Sequence, residues 1–120
     1  MMKRNMDLVR SILLAIEESK TGYAPRDLRI EGYTEEQIGY HIYIMKEGGL
    51  VNGTDVTTMD DNGPTAVATS MTWTGHEFLD AARESERWKE AKSLLDKVGG
   101  AALGVWQTVL TKLVLKNLGM

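Results

Sequence analysis

Thr34-Glu35-Glu36-Gln37-Ile38-Gly39-Tyr40-His41-Ile42 opens on a capping box: Thr34 and Gln37 stand three apart, so each side chain can satisfy a backbone N–H at a helix start. The helix predicted from there runs to Gly48-Gly49, where glycine supplies the left-handed stop. Ile38, Ile42 and Met45 fall on one stripe, with His41 at its edge. From Leu50 to Trp73 the period changes to two. Leu50, Thr54 and Val56 lie in one half, and Val67, Thr69, Met71 and Trp73 in the other. Asp61-Asn62-Gly63-Pro64 separates them, and Asn-Gly is the strongest short hairpin signal. A helix followed by a hairpin is the reading of this stretch.

Working outward, residues 6 to 19 read as a helix, with Leu8, Val9, Ile12, Ala15 and Ile16 on one face and Asn5 as its N-cap. Ser19 to Pro25 is a loop, interrupted by Gly22 and Pro25. Asp27-Leu28-Arg29-Ile30-Glu31 alternates polar and apolar, which suits a short strand. On the other side, Thr74-Gly75-His76-Glu77 is a second capping box, opening a helix with Phe78, Leu79, Ala81 and Ala82. Trp88, Ala91, Leu94, Leu95 and Val98 form a further stripe, and periodicity leaves open whether these are one helix or two. Gly99-Gly100 breaks the pattern as a hinge candidate, and Leu103 to Leu118 is again amphipathic.

The order helix, short strand, helix, hairpin, helices points to an α+β fold with a winged-helix-like core and a C-terminal helical extension. One departure stands out: residues 20 to 33 look too broken to supply the helix that usually precedes the recognition helix. Residues 1–98 are expected to form the winged-helix-like domain. Residues 99–120 are expected to form an amphipathic oligomerisation or packing arm.

The 120 residues suit one domain, and 42% hydrophobic with 26% charged residues is an ordinary globular balance. No cysteine is present, which removes disulfides, thiolate metal sites and cysteine nucleophiles. The apolar run after Met6 is broken by Arg10, Ser11, Glu17 and Glu18, so it reads neither as a signal peptide nor as a membrane span. A cytoplasmic location is the expectation.

Several stretches together resemble a family of uncharacterised proteins from bacteria and their phages, catalogued as domain of unknown function 2513. They are Lys3-Arg4-Asn5-Met6-Asp7-Leu8-Val9-Arg10, Gly32-Tyr33-Thr34-Glu35-Glu36-Gln37-Ile38-Gly39-Tyr40-His41, and Leu50-Val51. Thr72-Trp73-Thr74-Gly75-His76-Glu77-Phe78-Leu79-Asp80-Ala81-Ala82-Arg83 with Trp88 completes the set. The resemblance spans about three-quarters of the chain and implies a bacterial or prophage origin. It brings no activity, cofactor or catalytic residue.

The motifs that would carry chemistry fail one by one. His76-Glu77-Phe78-Leu79-Asp80 has an aspartate where a zinc protease has its second histidine, and His41 is the chain's only other histidine. No serine sits in a Gly-x-Ser-x-Gly elbow, and no glycine run ends in Gly-Lys-Ser/Thr. Asp60-Asp61-Asn62-Gly63 lacks the spaced carboxylates of a calcium loop and reads as a turn. The expectation is a protein that is not an enzyme, with no cofactor and no metal.

Charge separates the remaining readings. Between Thr34 and Ala82, Lys46 is the only base against eight acids, a net of −7; the flanking segments carry +1 and +3, giving the chain −3. A winged-helix reader works by neutralising phosphates, and this segment would repel them, so DNA binding is disfavoured and kept as the alternative. The outward face of the helix after Thr34 carries Glu36, Tyr40, Tyr43 and Glu47, with Ile44 at its edge. Aromatics ringed by acids suit contact with another protein, and a basic partner fits the charge. At the other end, Leu103, Trp106, Val109, Leu110, Leu113 and Val114 form a stripe that must find cover, and a homodimer is the expected cover. A membrane surface would want a more basic polar face than Lys112 and Lys116 provide.

Overall fold

Asn5 begins the first helix as the sequence predicts: its side-chain oxygen accepts from the backbone N–H groups of Asp7 (2.9 Å) and Leu8 (3.2 Å). The computed structural model describes residues 2–120, and in it helix α1 spans Met6–Glu17. Its Leu8, Val9, Ile12, Leu13 and Ile16 are buried, a stripe at the 3.6-residue period. Helix α2 (Glu35–Glu47) carries the full capping box. Gln37 N–H donates to Thr34 Oγ1 at 3.1 Å, and Thr34 N–H to Gln37 Oε1 at 2.9 Å. It buries Ile38, Gly39, His41, Ile42 and Met45, and Gly49 follows it at φ +80°.

Strands β1 (Val51–Asp55) and β2 (Ala66–Met71) pair antiparallel, Val51 opposite Met71 and Asp55 opposite Ala66. The register slips between Asn52 and Gly53, a bulge that leaves β2 one residue longer. Gly53 is required there, because a Cβ would stand 2.6 Å from the Val67 carbonyl oxygen.

Three expectations need correction. The strand read into residues 27–31 does not form. The free edge of β2 is met instead by the Ala24 N–H, which donates to the Thr69 carbonyl at 2.8 Å. The hairpin does not turn tightly at Asn62-Gly63, since ten residues, 56–65, separate the strands. The second capping box is displaced: helix α3 (Trp73–Ala82) is capped by Thr72, whose Oγ1 accepts from Gly75 N–H at 2.9 Å. The Thr72 hydroxyl in turn donates to the Gly49 carbonyl, tying the helix start to the end of α2. Trp73, read as a strand residue, is therefore the first residue of α3 and is 81% exposed.

Two further helices follow, α4 (Ser85–Asp96) and α5 (Leu103–Asn117), so the stretch after Trp73 holds two helices before the Gly99-Gly100 break. Glu84 caps α4 by accepting from Glu86 and Arg87 N–H groups. The chain forms two compact units, one up to His76 and one from Glu77 onward. The first holds α1, α2, the hairpin and the opening turn of α3. Its element order is compatible with a winged-helix-like α+β arrangement, with residues 20–33 non-helical as expected.

The second unit is built on aromatic contacts. Trp88 of α4 meets Phe78 edge-on at 6.3 Å and stacks on Trp106 of α5 at 4.8 Å. Trp106, Leu110 and Leu113 are buried at i, i+4 and i+7, while Leu103, Val109 and Val114 are half-buried. The stripe expected to seek a second chain thus finds most of its cover within its own.

Candidate protein-contact groove

The acidic segment closes on itself in the first unit. A groove of ≈ 620 Å3 lies between the first turns of α2 and the loop joining the strands, and Glu35, Glu36, Asp60 and Asp61 line it with Tyr40 and Asn62. The two glutamates occupy the first turn of α2, where carboxylates favour the positive end of the helix dipole. The two aspartates come from the loop, and local hydrogen bonds give that loop its shape.

Asp55 Oδ1 accepts from Thr57 N–H (2.9 Å) and Thr57 Oγ1 (2.6 Å). The Thr57 hydroxyl, then its N–H, hold the Asp55 carboxyl below its ordinary pKa by stabilising the anion. The Val56 N–H donates to the Thr65 carbonyl (3.0 Å), and Thr57 and Thr65 exchange two more bonds. Further along, Asp61 Oδ2 accepts from Thr58 N–H at 2.7 Å.

One glycine lets the two walls approach. Gly39 is buried on α2, and a Cβ there would collide with Thr65 Oγ1. Without it, the loop lies close against the helix, and the four carboxylates share one concavity.

His41 fixes the other boundary. Its ring is buried, Nε2 accepts from Asn5 N–H at 2.9 Å, and Nδ1 donates to the Gln37 carbonyl at 2.8 Å. Both nitrogens are satisfied only in the neutral ring with the proton on Nδ1. Burial lowers its pKa, opposed by the Gln37 carbonyl. His41 is thus a structural pin between the start of α1 and the middle of α2; Met2, a few residues before the pin, lines the groove.

Of the face read from the sequence, Glu36 and Tyr40 line the groove. Tyr43 and Ile44 are half-buried and Glu47 is exposed, farther along the helix and away from it. Sequence reading missed Glu35, Asp60 and Asp61 as residues lining the groove with Tyr40; the −7 of their segment was the one signal of them. Among the described residues, no cluster of three or more histidine, aspartate or glutamate side chains is arranged to hold a metal ion. No helix among them is long and apolar enough to cross a membrane.

The class these features define is a mixed α+β protein, compatible with a winged-helix-like arrangement, with an acidic groove between α2 and the hairpin loop. Residues 3–102 match the model of the family described as "Hypothetical protein (DUF2513)", and the chain belongs to that family. It is also similar to an uncharacterized protein of Haemophilus influenzae, 32% identical over 121 residues that cover 94% of this chain and 99% of the relative. No solved structure matches it.

Proposed function

We propose that this protein performs no chemistry of its own and works by holding a basic segment of another protein in the groove between α2 and the hairpin loop. The observation that carries the reading is the company Tyr40 keeps: four acidic residues, Glu35, Glu36, Asp60 and Asp61, line the same concave groove as its ring. An arginine suits such a site, because its guanidinium pairs with carboxylates in a fork and stacks on an aromatic face. Titration with a hexa-arginine peptide tests it. Binding should weaken as salt rises and collapse in the double variant Glu36→Lys with Asp60→Lys. A peptide that fails to bind wild type even at low ionic strength ends this reading.

DNA binding is the second reading, favoured by the helix–hairpin order of the first unit and opposed by its charge. Appreciable affinity for duplex DNA with a steep negative salt slope would move the choice to it. Self-association is also part of the proposal. Since Trp106, Leu110 and Leu113 are buried, a second copy docking on this helix would meet the exposed Val105, Leu115 and Leu118. Light scattering that finds a monomer removes that element, and Leu118→Asp should convert a dimer to one.

A further inference from the structure

The chain contains the dipeptide Asn-Gly twice, in two unlike settings. Asn62-Gly63 lies in the loop at the rim of the groove, exposed, and a Cβ at Gly63 would meet nothing within 4 Å. Neither residue hydrogen-bonds to any other described residue. The preceding Asp61 carboxylate accepts from Thr58 through Oδ2. Asn52-Gly53 lies in β1 at the bulge. The Asn52 amide donates to Ser70 Oγ at 3.1 Å, and Gly53 is pressed against the Val67 carbonyl.

We infer that Asn62 is a site of spontaneous deamidation, selected over Asn52 by structure, and that its conversion adds a fifth carboxylate to the groove. The chemistry needs only water. The Gly63 backbone nitrogen, having given its proton to base, attacks Asn62 Cγ; a C–N bond forms, the Cγ–Nδ2 bond breaks and ammonia leaves. The five-membered imide that results is opened by water at either carbonyl. One route yields aspartate; the other yields isoaspartate, in which the main chain passes through the former side chain. The net change is amide plus water to carboxylate plus ammonium, with no electron transfer.

Glycine on the C-terminal side matters because it carries no Cβ to hinder attack and bends freely to the ring-closing conformation. At Asn62 no hydrogen bond to another described residue has to break first. At Asn52 the amide must leave Ser70 and the strand must open before Gly53 N can reach it, so only the locally unfolded fraction reacts. The selectivity of the modification stands apart from the groove reading, whereas its effect on binding rests on that reading.

Incubation of the folded protein in mildly alkaline buffer, followed by digestion and fragment mass spectra, reads the outcome. A gain of one mass unit should accumulate at Asn62 roughly tenfold faster than at Asn52, the factor set by the cost of local opening. In urea the two rates should converge. An unreacted Asn62, equal rates in the folded chain, or the same disparity in urea would each overturn the inference. The second arm compares hexa-arginine binding by wild type and Asn62→Asp, where the added exposed charge should tighten binding about two- to threefold. A wild type that binds no peptide removes the groove reading while leaving the mass-spectral result to stand or fall alone.

Discussion

The two units bury themselves by different means. The first is knitted by short-range devices: an asparagine cap, a capping box, a threonine turn network and a glycine that admits the loop. It leaves a concave acidic surface open to water. The second has a glutamate cap on α4 but no side-chain cap at the start of α5, and three aromatic rings in contact join its helices. The contrast is between two ways of ordering a short chain. Local polar order shapes a surface, whereas aromatic burial closes one.

Breaking the stack should have the largest effect. Trp106 is 6% exposed, and Trp106→Ala is expected to cost about 3–5 kcal/mol, as such truncations do in cores. Urea denaturation followed by near-ultraviolet circular dichroism would report it. A loss below about 1 kcal/mol would mean that the second unit does not depend on its rings.

Gly39→Ala comes next. Overpacking of this kind costs about 1–3 kcal/mol, and the loop rather than the helix should give way. Hydrogen exchange should then quicken at Thr57 and Thr65 with α2 unaffected, and arginine-peptide binding should weaken with it. Unchanged exchange in the loop would show that Gly39 does not set the width of the groove.

The smallest effect belongs to His41. Burial holds its pKa below the ordinary 6.5, so as pH falls the unfolded chain takes up the proton before the folded one. Stability from this ring is complete above 6.5 and is lost as pH drops from there through the folded value. Urea midpoints in neutral and mildly acidic buffers should therefore fall more for wild type than for His41→Gln. Parallel declines in the two proteins would acquit the histidine.

How much of this was legible depends on the range of the interaction that fixes each feature. Thr34 and Gln37 satisfy each other within a single turn, so their box could be read directly from the chain. Thr72 and Thr74 both offer a hydroxyl near the start of α3. What separates them is the bond from Thr72 to the Gly49 carbonyl, 23 residues away, which spacing alone cannot reveal. Residues 27–31 alternate like a strand, yet alternation supplies no partner, and Ala24 bonds the β2 edge at Thr69 instead.

The site divides in the same way. Glu36 and Tyr40 share a helix face by periodicity, and the sequence places them together. Asp60 and Asp61 join them only because the loop folds back past Gly39, a meeting that depends on a missing Cβ. Asp61-Asn62-Gly63-Pro64 reads as the turn of the hairpin, since the sequence does not reveal that Thr57 and Thr65 close the loop wider.

The family's sequence pattern stops at residue 102, one position short of α5. A chain trimmed to that limit would keep Trp88 and discard the indole lying flat against it. Such a fragment would present a sticky aromatic wound to solvent, and its clumping would say nothing about how the intact molecule behaves in the cell.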